Sequence, residues 1–138
     1  MMLKTIFSSA SLLFLLIWIY LNIRKNRRRP FVLAGERLEE AFIDAVQDLS
    51  QGKGDAFEFL RDAFPRHEEA YRKFRTYLKG RTLQQFDDAW QEYYCNRNED
   101  PHPFPEQYFA GGNIELAKEK RALALKRIAK LLSFARNR

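Results

Sequence analysis

From Thr5 to Ile23, nineteen successive residues carry no charge, and the run ends against Arg24, Lys25, Arg27, Arg28 and Arg29. No other feature restricts the fold of this chain so tightly. As a helix the run is roughly 28 Å long, close to the ~30 Å hydrocarbon thickness of a bilayer. A cleaved signal peptide has an apolar core of about 7–15 residues followed by a small-x-small site. Here Trp18, Tyr20 and Arg24 stand where that site belongs. A buried helix of a soluble domain would not run straight into "RKNRRR". The run is therefore expected to be a retained transmembrane anchor that meets the lipid bilayer over residues 5–23.

The flanks orient it. Only Lys4 and the α-amino group precede the run, whereas five basic residues follow it. Basic residues beside a span stay on the cytoplasmic side. The expectation is a single-pass protein of a cell inner membrane, N-terminus out, with a cytoplasmic C-terminal domain. Trp18 and Tyr20 suit the interfacial belt, and the basic run suits anionic headgroups. Cys95 is the single cysteine and has no partner within the chain, in keeping with a reducing compartment. Pro30 is expected to end the helix, since proline lacks the backbone donor and clashes with the preceding turn. The chain then divides into an anchor, 1–30, and a helical domain, 31–138.

A net charge of +6 would ordinarily prompt a nucleic-acid reading. Its distribution argues otherwise. Residues 1–30 hold six basic and no acidic side chains, and residues 31–138 hold eighteen of each. Within that neutral part the charge is polarised: 31–117 is −7 and 118–138 is +7. An acidic body with a basic last helix can satisfy itself, and nucleic acid is set aside as a partner.

The domain reads as all-α, a small bundle of about four or five helices. Leu38, Ala41, Phe42, Ala45, Val46 and Leu49 follow helical spacing, and Gly52 suits the C-terminal cap. Asp55 can cap a short segment, "AFEFLRDAF", that should break or kink at Pro65. Pro65 would then open a second helix from Arg66 to Lys79 with His67, Ala70, Tyr71, Phe74, Tyr77 and Leu78 on one face. Thr82 and Gln85 have the spacing of a capping box for the next helix, whose apolar face is Leu83, Phe86, Trp90, Tyr93 and Tyr94. "NRNEDPHPFPEQYFAGGN" is a loop, pinned to the core by Phe104, Tyr108 and Phe109. Asn113 can cap a last helix to about Ala135.

Chemistry-bearing patterns are few. His67, His102 and Cys95 do not make a clustered zinc set, and no phosphate-cradling or nucleophile-elbow motif occurs, so no metal and no cofactor is expected. Gly111-Gly112 before a helix reads as an ordinary turn. His67 could act as a base if Asp87 lay within reach across antiparallel helices. The plainer role is a core-edge histidine that holds two helices in register. Arg121 falls inside the apolar stripe of the last helix (Ile114, Ala117, Ala124, Leu125, Ile128, Leu132, Ala135). It must meet a carboxylate, from Asp87, Asp88 or Glu106, or backbone carbonyls. The opposite face shows Leu116, Leu123 and Phe134 among Lys126, Arg127 and Lys130, a surface that the proline loop, a second copy of this chain or another protein could cover.

The stretches "FPRHEEAYRKFRTYL", "FDDAWQEYY", "PFPEQYF" and "ELAKEKRALALKRIAKLLSFA" together resemble a group of small bacterial helical proteins of unknown activity. These share an H-E-x-A…F-R…L, F-x-x-A-W-x-x-Y, Q-Y and R-x-x-A-L-x-x-I-x-x-L-L pattern. The likeness covers Phe64 to Ala135, with His67, Arg75, Trp90, Tyr93 and Arg121 at its polar and aromatic positions. It implies a bacterial host and no activity. The expected function is a membrane-anchored interaction or scaffold module. The rival is a small effector or enzyme with a polar site around His67, Asp87 and Arg121.

Overall fold

The computed structural model describes residues 2–52, 54–94 and 104–136, without the side chains of 2–12 and Arg27. Cys95, His102 and the first part of the proline-rich loop, up to residue 103, lie outside the described residues. The described chain is all-α: helices α1 (Met2–Ser50), α2 (Ala56–Arg75), α3 (Gly80–Tyr94) and α4 (Ile114–Arg136), plus one 3₁₀ turn at Glu106–Tyr108. It forms two compact units, Met1–Leu33 and Ala34–Arg138.

In the first unit every described side chain from Leu13 to Pro30 is exposed, Phe14 at 77% and Trp18 at 64% among them. Among the described residues no helix is long and apolar enough to cross a membrane. Of the expected span only Leu13–Ile23 falls on described side chains, about 16 Å of helix; Thr5–Leu12 lies outside them. Pro30 sits inside α1 rather than at its end, which corrects the expectation of a stop there. Proline removes one donor, and the carbonyl that loses it, that of Asn26, belongs to an exposed residue that water can serve.

The second unit is built on the spacings read from the sequence. Leu38, Ala41, Phe42, Ala45 and Leu49 are buried along α1. Gly52, at φ +68, takes the left-handed conformation that lets the chain leave the helix without a Cβ clash. Asp55 caps α2, one carboxylate oxygen accepting from the Phe57 amide at 3.2 Å and the other from the Ala110 amide at 3.3 Å. One residue thereby fixes both a helix start and the 109–113 loop.

Pro65 does not break the chain: the expected short segment and its neighbour are one 20-residue helix ending at Arg75. Pro65 and Arg61, whose carbonyl loses its donor, are both exposed. Leu60, His67 and Phe74 on the opposite side are buried and hold the two halves to one core. The next helix begins at Gly80, so Thr82 lies within its first turn and the capping box expected there has no terminus to cap.

Asn113 does cap α4, accepting from the Leu116 amide at 3.1 Å. The buried stripe of α4 is Ala124, Arg127, Ile128, Leu131 and Leu132, rotated from the expected one. Ile114 is 81% exposed because the core does not reach the first turn. Arg127, expected on an open face, is inside, and Phe134 meets the Phe86 ring edge-on at 5.4 Å. Of the face expected to meet a partner, Lys130 and Phe134 are engaged by Glu92 and Phe86 of α3 and Arg127 by Gln107 and Tyr108 of the 3₁₀ turn, while Leu116 and Leu123 are half-buried and Lys126 is exposed. At the far end of α4 a Cβ on Gly35 would come within 3.2 Å of the Ala135 Cβ, so α1 and α4 meet through their smallest side chains.

Aromatic rings fill the centre. Tyr71 stacks on Trp90 at 4.3 Å and 6°, and Phe104 packs against Phe64 at 4.5 Å and Tyr93 at 5.4 Å. The loop is pinned by Phe104 and a fully buried Tyr108, while Phe109 remains 54% exposed. Trp90 is 5% exposed. Its replacement by Ala should destabilise the second unit by about 3–5 kcal/mol, read from denaturant unfolding of the full-length protein by circular dichroism. A loss under about 1 kcal/mol would show that the ring belongs to a surface.

Candidate functional site

The carbonyl of Tyr93 lies in the last turn of α3, among the carbonyls that a helix end leaves for other partners. Gln107 Nε2 and the Tyr108 hydroxyl, both from the 3₁₀ turn, each donate to it at 2.7 Å. Arg127 Nη1 donates in turn to Gln107 Oε1 at 2.9 Å and to the Tyr108 oxygen at 3.3 Å, and its guanidinium carbon lies 5.7 Å from the Tyr108 ring centre. Arg127 is 8% exposed and has no carboxylate partner among the described residues. Its compensation is the negative end of the α3 dipole, relayed through two neutral side chains. Burial pushes the Tyr108 hydroxyl up to about 12, against the opposing pull of Arg127.

His67 is fully buried, stacked on Phe42 at 3.8 Å between ring centres, with Nδ1 2.8 Å from the Tyr93 hydroxyl. Burial holds that hydroxyl well above the usual phenol range. The hydroxyl therefore keeps its proton and can donate to an unprotonated Nδ1 or accept from a protonated one, according to the imidazole tautomer. Nε2 has no hydrogen-bond partner, although the Ala41 carbonyl is near enough to favour the charged ring slightly. Burial first, and the neighbouring Arg66 charge second, bring the imidazole down to about 3. A neutral, solvent-sealed imidazole has no route to a substrate proton.

The three residues expected to share a site have separate partners. Asp87 accepts a bidentate pair from Arg75 (both bonds 2.8 Å) and a hydrogen bond from Tyr71 at 2.7 Å. The Arg75 guanidinium, helped by Tyr71 and opposed by partial burial, holds its carboxyl below the usual range. Arg121 donates to the Gly54 carbonyl at 2.9 Å, the backbone option rather than Asp87, Asp88 or Glu106. Among the described residues none of the three hydrogen-bonds another. Lys130 pairs with Glu92 at 2.8 Å and Arg136 with Glu39 at 2.6 Å, while Lys126 stays exposed.

Among the described residues an open groove of about 700 Å³ lies between α1 and α2. Its floor is Ala34, Leu38, Ala41 and Ala70, and its rim carries Arg37, Arg66, Arg72 and Lys73 against one acid, Glu69, with Tyr77 at one end. Three rim cations have partners of their own: Arg66 with Asp44 at 3.2 Å, Arg72 with Glu68 at 2.9 Å and Lys73 with Glu69 at 2.6 Å. Arg37 has no carboxylate partner among the described residues. The sequence reading passed over this feature, although the signal was present. Ala34, Leu38 and Ala41 repeat at i, i+4, i+7, and Arg66, Ala70, Lys73 and Tyr77 do the same from α2. Among the described residues no group of three or more His, Cys, Asp or Glu side chains could hold a metal ion.

No protein-family model, curated protein or solved structure matches this chain.

The histidine has a measurable consequence. Between pH 6.5 and 3 the unfolded chain binds a proton at His67 that the folded chain refuses, so stability falls as pH drops through that window. The slope approaches 1.4 kcal/mol per pH unit. The depressed carboxyl of Asp87 loses its contribution only at lower pH, as it protonates. Unfolding free energy should therefore decline from pH 6.5 to 4.5 in the native protein and decline less in His67→Phe. Equal slopes would show that the ring is protonated in the folded state.

Proposed function

We propose that the chain is a single-pass membrane protein whose N-terminal apolar helix holds a cytoplasmic helical module, and that the module works by binding other proteins. One observation carries the membrane part: from Leu13 to Ile23 the helix is exposed on every side while its side chains are almost all apolar. Water disfavours such a surface by about 25 cal/mol per Å², and hydrocarbon does not. The sequence continues the same composition back to Thr5, which brings the run to bilayer length. The exposed cations Arg24, Lys25, Arg28 and Arg29 support the cytoplasmic orientation.

The module part is supported by what is sealed and what is open. The titratable groups inside the second unit, His67, Tyr93, Tyr108 and Arg127, are closed from solvent and engaged with one another. The open feature is a long groove rather than a pocket with converging polar groups, and grooves of that kind suit chains more than small substrates. The resemblance of the aromatic spacing to small bacterial proteins fits this reading and adds no chemistry.

Two measurements test it. A reporter active only outside the cytoplasm, fused after Arg138, should stay silent, and one active only in the cytoplasm should signal; the reverse would overturn the orientation. Photo-activatable residues placed in turn at Thr76, Ile114 and Lys126 of the full-length protein should give discrete protein adducts in native membranes from at least one position. Adducts at none of them would overturn the interaction role.

A further inference from the structure

We propose that the groove between α1 and α2 receives an acidic amphipathic helix of a partner protein. This rests on the interaction-module reading and names the chemistry of the partner. The floor supplies the shape. Leu38 and Ala41 lie beneath the groove with little exposure, so a third helix would rest on the half-buried Ala34 of α1 and Ala70 of α2, small side chains that let it approach to the 8–10 Å typical of packed helices. The cleft continues past Arg37 and Arg66 to Ile43, which is 52% exposed. Residues 34–44 of α1 measure roughly 15 Å, nearly three turns for a partner to cover.

The rim supplies the charge. Arg66 and Lys73 are seven residues apart on α2, roughly 10 Å along its axis, with Arg37 opposite. One phosphate group cannot reach cations spaced that way, whereas carboxylates repeating at i, i+4 and i+7 on a helix can. The pairs that Arg72 and Lys73 make with Glu68 and Glu69 are solvent-exposed, and such pairs are worth about 0–1 kcal/mol, so incoming carboxylates can take them over. Arg37 needs no exchange at all. Toward Ile43 the lining turns acidic, with Glu40 and Asp44, which sets the direction in which a partner with one acidic end lies. A second copy of this chain is a poor occupant. Its own acidic helical stretch, residues 36–48, already buries Leu38, Phe42 and Ala45 in its core.

The test uses the full-length protein in non-ionic detergent and fluorescent helical peptides about 15 residues long, roughly 22 Å. One peptide has a Leu/Ala face flanked by Glu; the other is identical with Gln. Anisotropy should show the Glu peptide binding at least tenfold tighter, by about 1.4 kcal/mol, with the preference shrinking as salt rises. Arg37→Glu should abolish the preference and leave circular dichroism and melting unchanged, because Arg37 is exposed and pairs with no carboxylate among the described residues. Equal binding of the two peptides, binding of neither, or a preference that survives Arg37→Glu overturns the proposal. Arg37-dependent binding of short-chain phosphatidylglycerol without a peptide preference overturns it in favour of lipid. If the peptides fail while adducts persist at Ile114 or Lys126, the groove assignment falls and the interaction role stands.

Discussion

A single backbone carbonyl, that of Tyr93, organises the second unit. It closes α3, it is buried, and it takes both of its hydrogen bonds from a short turn fourteen and fifteen residues further along the chain. A buried carbonyl without partners costs about 1–3 kcal/mol, which Gln107 and Tyr108 remove by being delivered there. Arg127 binds the oxygens of both donors and so joins α4 to the same point. The side chain of Tyr93 reaches the other way, to His67 and, through its ring, to Phe42 of α1. The four helices and the 3₁₀ turn are thus connected through the two ends of one residue.

The buried cation is the unusual member of this set. Alone, a guanidinium removed from water would destabilise the fold by several kcal/mol. Its setting is the negative pole of a helix, two oxygen acceptors and an aromatic face, a combination that offsets part of the penalty without any carboxylate. A hydrophobic residue of similar size would pack there with less strain on the electrostatics. It would also leave Gln107 Oε1 with no donor, and the amide orientation that serves Tyr93 would no longer be specified.

Much of this bundle was legible in advance, and its misses share a cause. Helix existence and the inward faces at Leu38–Leu49 and Phe86–Tyr93 followed from apolar spacing alone, and on α4 only Ala124, Ile128 and Leu132 of the expected stripe are buried. Pro30 and Pro65 misled because the rule that proline stops a helix counts a lost hydrogen bond and ignores which side of the helix loses it. Both lie on exposed turns. The α4 stripe was placed on Arg121 rather than Arg127 because a wheel sums apolar side chains and cannot see a cation compensated by a helix end and two neutral groups. The grouping of His67 with Asp87 and Arg121 followed the logic of catalysis. Nothing in the sequence showed that Tyr71 and Arg75, four residues apart on α2, would both reach Asp87 first.

The contact of Gly35 with Ala135, reinforced by Arg136 on Glu39, has a topological consequence. It makes the second unit a closed circuit, in which the chain leaves within a few ångströms of where it enters. A unit of that kind behaves as a bead that can be threaded on or spliced into another backbone without stretching its host. The two ends could also be joined and a new break opened elsewhere, in an exposed turn such as the one at Gly111-Gly112. Its pull on whatever holds it acts through one corner, so tension applied along the chain would peel α1 and α4 apart at their smallest side chains before it loaded the aromatic centre.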